Sequence, residues 1–192
     1  ASETLFEGAV IDGFVVGEGA AMVVLARERG GAEVALTGVG RSLDGYHLTA
    51  PDPEGRGAFR AMSDALDDAG RPPIGYVQAH GTSTPLNDAV EAQAIRRVLG
   101  DGIESARVAS VKGAVGHWIA GAGAIGFLCA VEAVARGRLL PTAGLAEPDA
   151  ICALQHVMGR AVEAEVGAAL VNAFAFGGAN ASAVVERAGG RT

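Results

Sequence analysis

The chain has 192 residues, 49% hydrophobic and 19% charged, which is enough apolar material for one domain core and argues against disorder. A formal net charge of -7, with no Lys/Arg run longer than a pair such as Arg96-Arg97, argues against a nucleic-acid or anionic-membrane surface. The two cysteines show neither CxxC spacing nor a disulfide framework, so we expect a reducing cytoplasm and no metal knuckle.

The first third of the chain is predicted to form two neighbouring strands and a helix. Residues 21–26 (AMVVLA) and 34–39 are short β-prone runs. Apolar residues from Phe59 to Ala69 then recur at helical spacing, and the pattern stops at Gly70 with two prolines beyond it. This pattern predicts a helix of about four turns.

The middle of the chain is predicted to present a histidine at a strand end. Residues 74–79 form a β-prone run that is followed by His80, and α/β proteins usually place ligand chemistry at that end of a strand. Asp88 followed by Glu91 has capping-box-like spacing. We therefore expect a helix after the histidine, with an apolar face that ends at Gly100.

A second histidine segment joins a strand to an apolar helix. Residues 108–111 predict the strand, and a glycine-rich segment carrying His117 follows it. Residues 120–136 are apolar on nearly every face, so this helix is expected at the centre of the fold. The charged Glu132 and the many small residues of this helix favour a buried helix over a membrane span.

Two late β-prone runs, residues 168–174 and 181–186, flank Phe176-Gly177-Gly178. They predict a closing hairpin or turn. With the preceding segments they give alternating strands and helices, which indicates an α/β fold. The chain opens at Ala1 without methionine, which leaves open either initiator removal or a longer parent polypeptide.

His80 and His117 each sit in a small-residue run after a strand. For His80 alone, a core histidine is the simpler interpretation. Thr82 and Thr84 offer hydroxyls either to substrate amides or to turn hydrogen bonds. Lys112, five residues before His117, and a helix start both disfavour the imidazolium, so we expect a neutral His117 that donates one ring N–H.

Three features near these histidines have ordinary alternatives when taken singly. Lys112 fits a surface lysine, and Trp118 fits a packing aromatic. The turn at Phe176-Gly177-Gly178 fits either a plain glycine turn or a pair of backbone N–H groups for an oxyanion. The pairing of the histidine loops is what favours a functional interpretation of all three.

The combination of short strings is more specific than any one motif. The strings are, in chain order, DGFV at 12–15, GEGA at 17–20, HLTAPDP at 47–53, HGTSTPLND at 80–88, Lys112 with GH at 116–117, and Asn172 with FGG at 176–178 and Asn180. Together they closely resemble the β-ketoacyl-ACP synthases, or ketosynthases, of the thiolase superfamily. The resemblance covers only their C-terminal half: residues 1–192 match the C-terminal domain, and the half with the cysteine nucleophile is absent.

The resemblance implies a fold and a set of partners. The fold is an α/β, thiolase-like half, a mixed five-stranded sheet with helices on both faces, packed against a separate N-terminal half. The implied partners are that half, acyl carrier protein and, through a dimer, a second complete synthase unit. Alone, the chain should expose apolar surface beside residues 120–136.

The resemblance also implies a reaction, the decarboxylative Claisen condensation of an acyl thioester with malonyl-ACP. His80 and His117 would bind the malonyl thioester oxygen and favour the enolate, while Lys112 positions the pair. No metal or organic cofactor takes part, because the substrates are carried on the phosphopantetheine of acyl carrier protein.

The remaining site residues that the resemblance implies bind substrate. Thr82 and Thr84 would hold the phosphopantetheine arm. The backbone N–H of Phe176, in the turn with Gly177 and Gly178, would complete an oxyanion hole with the N–H of the absent cysteine. The Phe176 ring would gate the acyl pocket.

The chain departs from the family pattern at a few positions. Many stand-alone bacterial synthases have a glutamate fourteen residues after the lysine, where this chain, like modular polyketide ketosynthases, has glycine. A bulky Trp118 would narrow or reshape the pocket. The departures are Ile11, Trp118, Ile119, Gly126, Ala175 and Ala179.

Three other functions compete with this one. A non-catalytic partner subunit of the chain-length-factor type would share the fold, but such subunits usually lose the histidines that this chain keeps. A degradative thiolase would carry a second cysteine in the C-terminal glycine turn, and residues 172–180 contain none. A free-standing binding module is opposed by the intact motif set.

Overall fold

The computed structural model describes residues 13–27 and 31–189. Four short 3-10 helices, Gly100–Ser105, Ile119–Gly121, Ala150–Cys152 and Phe176–Gly178, lie among the longer elements of this part of the chain. The longer elements are, in chain order, β1 (Val34–Leu43), α1 (Arg56–Asp68), β2 (Tyr76–Gln78), α2 (Pro85–Leu99), β3 (Arg107–Ala109), α3 (Lys112–Val115), α4 (Ala122–Arg136), β4 (Arg138–Leu139), β5 (Val162–Glu163), β6 (Ala168–Ala175) and β7 (Ala179–Arg187).

Five of the strands form one mixed sheet in the order β1-β7-β6-β2-β3. β2 runs parallel to both β3 and β6, whereas β7 runs antiparallel to both β6 and β1. β4 and β5 form a separate two-stranded antiparallel ribbon. The predicted mixed five-stranded sheet is therefore confirmed, and so is the hairpin around Phe176-Gly177-Gly178.

Helices cover the two faces of the sheet because side chains alternate along each strand. Val77 of β2 packs in a cluster with Met62 of α1 and Ile95 of α2. Its neighbour Tyr76 points the other way and packs with Val134 of α4. Helices thus lie on both faces, as predicted, and β2 is buried between them.

α1 approaches β1 closely because glycines stand opposite it. A Cβ atom at Gly40 would lie 2.0 Å from the carbonyl oxygen of Ala61, so the helix backbone rests directly on the strand. The helix ends at Asp68, and Gly70 follows with a φ of 77°, a conformation that suits glycine after a helix. The helix predicted from the spacing of Phe59 to Ala69 is confirmed.

The predicted strand at residues 21–26 is wrong for this chain. These residues carry no secondary structure, and Met22 and Val24 are 89% and 88% exposed. A strand is stabilised by its ladder partners, and residues 34–39, which do form part of β1, pair with β7 instead. The β-prone sequence therefore lies open along the surface.

The predicted capping box at Asp88 and Glu91 is also wrong. α2 begins at Pro85, before Asp88, because proline fits the first turn of a helix. The Asp88 carboxylate instead accepts hydrogen bonds from the backbone N–H groups of Thr82 and Ser83, each at 3.1 Å. Asp88 therefore fixes the loop that precedes the helix.

α4 does not occupy the centre of this chain, contrary to the prediction. Among the described residues, Ile119–Arg136 is the one helical stretch long and apolar enough to cross a membrane, and 33% of it is buried. Core helices meet the same length and composition criteria, so this is weak evidence for a span. One side of α4 packs on the sheet through residues such as Ala130 and Val134, whereas Ile125 and Leu128 on other sides are only partly buried.

Candidate functional site

His80 lies at the end of β2 and is 7% exposed. Its ring Nδ1 accepts the backbone N–H of Phe174 at 3.3 Å and lies 3.5 Å from Lys112 Nζ. Because donors face Nδ1, the neutral ring carries its hydrogen on Nε2. The end of β2 thus places His80, and the donors from Phe174 and Lys112 fix its tautomer.

His117 is held in the same tautomer by its own loop. α3 and the residue after it deliver the histidine, and its ring Nδ1 accepts the backbone N–H of Ile119 at 2.9 Å. The two imidazole rings lie edge to face with their centroids 5.6 Å apart. Neither Nε2 has a hydrogen-bond partner within the described residues, so both N–H groups remain available to a ligand.

Lys112 begins α3 and reaches back to the first histidine. Its ammonium donates to the backbone oxygen of His80. Burial lowers the pKa of Lys112 to about 8, against the opposing influence of Glu91 and Asp88. The structure therefore brings His80 together with Lys112 and His117, which lie more than 30 residues later in the chain.

Both histidines are neutral at pH 7. Burial, then Lys112, then His117 lower the pKa of His80 to about 2. Burial and then Lys112 also lower the pKa of His117. The neutral His117 expected from the sequence agrees with this direction, but the leading cause differs. The predicted influence of Lys112 is present as the second cause, and α4 begins five residues after His117.

The depressed pKa values predict a loss of stability in acid. The pKa of His80 is about 2 when folded and 6.5 when unperturbed, so between these values the unfolded chain binds more protons. Lowering the pH from about 7.5 to about 5.5 is expected to cost at least about 1.4 kcal/mol of unfolding free energy, measured by urea denaturation. His80→Asn should remove about that much of the dependence.

Glu91 is a buried residue of this site that the sequence analysis did not assign to it. Oε1 accepts the backbone N–H of His80 at 2.8 Å and the side-chain N–H of Asn172 at 3.0 Å. Oε2 accepts the backbone N–H of Gly81 at 2.8 Å and the side-chain N–H of Asn87 at 3.4 Å. Burial raises the pKa of Glu91, while these donors favour its ionised form. Glu91 thereby anchors the His80 loop.

One sequence signal could have revealed Glu91. It precedes Ala94, Ile95 and Val98 by three, four and seven residues, so it lies on the apolar stripe of α2. A carboxylate on the buried stripe of a helix needs several donors. The loop before the helix supplies two of them, the backbone N–H groups of His80 and Gly81.

The threonines lie in the same loop and contact each other. The hydroxyls of Thr82 and Thr84 are 2.9 Å apart, and Thr82 is 6% exposed. Between them, Ser83 has a φ of 60°, and Asp88 accepts its backbone N–H. The loop that follows His80 in the sequence therefore holds the two threonine hydroxyls against each other.

The hairpin turn is fixed against a neighbouring loop. Gly177 and Gly178 have φ values of 82° and 74°, which require glycine-like freedom. The Gly177 N–H donates to the carbonyl oxygen of Leu48, and the Asp44 N–H donates to the carbonyl oxygen of Gly178. Phe176 directly follows β6 and is 71% exposed. It lies two residues after Phe174, whose backbone N–H donates to the His80 ring.

Two departures from the family pattern have clear positions. Gly126 is buried on α4, where an added Cβ would lie 3.4 Å from Cγ of Gln78, an ordinary packing distance. Trp118 packs on the backbone of residues 17–19 and donates its indole N–H to the carbonyl oxygen of Val115. Ile11 and Asp12 lie outside the described residues.

The site contains no obvious metal centre. Among the described residues, no group of three or more His, Cys, Asp or Glu side chains is arranged to hold a metal ion. Cys129 and Cys152 are free, and burial is the leading cause that raises both thiol pKa values. Neither thiol therefore has the depressed pKa of an activated nucleophile.

Comparison with known proteins gives the family. Residues 33–146 match the family described as "Beta-ketoacyl synthase, C-terminal domain". The chain is 40% identical over 184 residues to 3-oxoacyl-(acyl-carrier-protein) synthase 2 of Synechocystis sp., a match that covers 92% of this chain and 44% of that enzyme. The chain thus spans less than half the length of this curated relative.

Solved structures agree with this match. A type II PKS acyl carrier protein in complex with its ketosynthase, AntDE:AntF, aligns with a TM-score of 0.77 and 29% identity, covering 81% of this chain and 38% of that one. The ishigamide ketosynthase/chain length factor aligns with a TM-score of 0.75 and 38% identity, covering 80% and 38%. The family match over most of the chain and the 40% identity show that this chain belongs to the β-ketoacyl synthase family of the thiolase superfamily, as its C-terminal domain.

Proposed function

We propose that this chain supplies the two histidines of a β-ketoacyl-ACP synthase in fatty-acid or polyketide synthesis. The observation that carries the proposal is the pair of neutral imidazoles, each with Nδ1 occupied by a backbone N–H and with Nε2–H available. Two neutral N–H donors with ring centroids 5.6 Å apart suit one oxygen on which negative charge develops.

The proposed reaction begins with malonyl-ACP. The bond between the malonyl α-carbon and its carboxylate breaks, carbon dioxide leaves, and the electron pair moves onto the thioester oxygen as an enolate. His80 and His117 stabilise that oxygen through their Nε2–H groups without giving up a proton. The enolate carbon then attacks the carbonyl carbon of the acyl group that the partner's cysteine holds as a thioester, and the cysteine thiolate leaves.

Lys112 supports the histidines in this proposal. Its ammonium lies beside Nδ1 of His80 and disfavours protonation of that ring. A protonated imidazolium would be the wrong state for Nδ1, which faces two donors. Lys112 is therefore a positioning and electrostatic residue in the mechanism.

The substrate contacts come from the two loops around the histidines. Thr82 and Thr84 would bind the phosphopantetheine arm, since their hydroxyls lie together in the His80 loop. The Phe176 N–H would serve a second oxyanion hole, with Gly177 and Gly178 supplying the turn. The exposed Phe176 ring would close the acyl pocket.

The attacking cysteine and the rest of the enzyme belong to a partner in this proposal. Residues 1–192 would form the C-terminal domain of the synthase unit, which pairs with an N-terminal half and dimerises as a complete unit. The exposed apolar side chains of residues 22–25 support a covering partner. We propose acyl carrier protein as the carrier, no metal or organic cofactor, and a cytoplasmic location.

A non-catalytic subunit of the chain-length-factor type is the second candidate. It is favoured by one comparison, a ketosynthase/chain length factor assembly. Such a subunit would shape the pocket of an active ketosynthase without using its own histidines. The preserved histidine geometry favours the catalytic role.

The function is tested by reconstitution. The chain is co-expressed with the N-terminal half of the Synechocystis synthase, and the purified pair is supplied with malonyl-ACP and acyl-ACP. We expect release of carbon dioxide and formation of β-ketoacyl-ACP, detected by mass spectrometry of the carrier protein. The chain alone should form no β-ketoacyl-ACP, because in this proposal the cysteine that holds the acyl group belongs to the N-terminal half. A co-purified pair that accepts the acyl group on its cysteine but never decarboxylates malonyl-ACP would contradict the proposal.

A further inference from the structure

A glycine-rich segment links the two histidine loops. This segment, residues 13–19, is named here the glycine strap. The His117 N–H donates to the carbonyl oxygen of Val15 at 2.7 Å, and the Gly17 N–H returns a bond to the His117 carbonyl at 3.0 Å. The Gly13 N–H donates to the carbonyl oxygen of Ser83 in the His80 loop at 2.8 Å. The strap therefore holds both loops through backbone bonds.

The glycine strap also packs a ring on His117. The Phe14 ring lies 4.8 Å from the His117 ring, centroid to centroid, with their planes tilted by 54°. This contact buries one side of an imidazole that is otherwise partly open. The position of the strap thus determines how firmly His117 is held.

Trp118 lies against the other part of the strap. A Cβ atom at Gly19 would lie 2.4 Å from Cη2 of Trp118, and one at Gly17 would lie 2.9 Å from its Cδ1. The indole N–H is bound to the Val115 carbonyl oxygen at 3.1 Å, which fixes the plane of the ring. The indole therefore fills space that exists only because the strap has glycines there.

The residue after Trp118 holds an unusual backbone conformation. Ile119 has a φ of 50°, which is disfavoured for a β-branched residue. Its N–H is the donor that occupies Nδ1 of His117. Strain of this kind persists where surrounding contacts enforce it. The preceding residue, Trp118, is held by two contacts: its ring packs on the glycine strap, and its indole N–H donates to the Val115 carbonyl oxygen.

We propose that Trp118 is a positioning residue that clamps the glycine strap and so holds His117 in its place and its Nε2–H tautomer. The clamp acts through two contacts: the strap keeps Phe14 on the imidazole, and the fixed Trp118 keeps the Ile119 N–H on Nδ1. Its consequence for catalysis rests on the proposed function. Its consequence for the His117 tautomer does not.

The test uses size complementarity between the strap and the ring. Gly19→Ala pushes a methyl group into the indole, and Trp118→Leu removes the ring. The double variant restores the space. Gly13→Ala is the matched control, because a Cβ there meets nothing within 4 Å and the N–H is kept. All variants are made in the complex with the N-terminal half, with only this chain labelled with ¹⁵N-histidine.

Two readouts distinguish this inference from the proposed function. In the unaltered chain and in Gly13→Ala, the ¹⁵N shifts of His117 should show the Nε2–H tautomer alone. Gly19→Ala and Trp118→Leu should each give mixed tautomers. The kcat for malonyl-ACP decarboxylation should fall roughly 10- to 100-fold in each, as expected for a displacement of about 1 Å, with KM unchanged. The double variant should recover most of both properties.

The inference is overturned if the single variants keep the Nε2–H tautomer, if Gly13→Ala has the same effect as Gly19→Ala, or if the double variant is worse than either single one. Should Gly19→Ala fail to fold, Trp118→Leu alone decides through the tautomer of His117. Tautomer changes without any decarboxylation by the unaltered complex would leave the clamp standing and remove the proposed function instead.

Discussion

Replacing either His80 or His117 by alanine is expected to lower malonyl-ACP decarboxylation by the reconstituted complex about 10²- to 10³-fold, the usual cost of losing one donor to a developing oxyanion. Each variant leaves one imidazole N–H, so the enolate oxygen loses half of its proposed donors. The measurement is carbon dioxide release at saturating malonyl-ACP. Acyl transfer to the cysteine should continue, because neither histidine is the nucleophile in the proposed mechanism.

Two further variants test whether the loss of decarboxylation comes from the histidine pair: the double alanine variant, and an alanine replacement of a histidine outside the site. Because both rings act on one oxygen, His80→Ala with His117→Ala should cost less than the product of the single losses. His156→Ala is the control, since that ring bonds to the carbonyl oxygen of Cys152 and belongs to neither histidine loop of the site. Unchanged decarboxylation in both single variants would remove the catalytic assignment and favour the chain-length-factor alternative.

Replacing Glu91 by glutamine is expected to destabilise the chain by about 2–4 kcal/mol, because a buried donor is left facing other donors. Both carboxylate oxygens accept N–H groups, and one of them would become an amide nitrogen that cannot accept. The loss is measured by urea unfolding at neutral pH. The decarboxylation rate should also fall, since the backbone of His80 loses its anchor.

Glu132→Gln, on α4 at the opposite face of the sheet from α2, is the matched control. Glu132 forms an exposed pair with Arg136 four residues away, and its side chain is 60% exposed. Pairs of this kind contribute about 0–1 kcal/mol, so this variant should unfold almost like the original chain. Equal losses at the two positions would show that the hydrogen bonds of Glu91 are not what stabilises the loop.

The parts of the fold that local sequence decides could be predicted. The helix after Arg56 follows from apolar spacing and a glycine stop, and the hairpin follows from two β-prone runs around two glycines. Residues 21–26 have the same local propensity, yet they form no strand here. Strand formation depends on a partner, which propensity does not encode.

The site was predictable only in outline. That His80 ends a strand follows from its surroundings, but nothing in the spacing of 80 and 117 shows that the rings meet. The resemblance to a family supplied that pairing. Glu91 was missed because its donors come from the preceding loop and from Asn172 of β6, more than 80 residues away in the chain. The orientation of Trp118 depends on glycines a hundred residues earlier.

The ammonium of Lys112 donates to the main-chain oxygen of residue 80, and this bond affects what a substitution of residue 80 would do. A main-chain oxygen is present whatever side chain residue 80 carries. Any residue that replaces His80 therefore still has the Lys112 ammonium beside it. The positive charge of Lys112 acts on position 80 whichever side chain that position carries. Drift of such a domain towards a non-catalytic subunit would leave a positive charge in the cleft after the imidazole had gone.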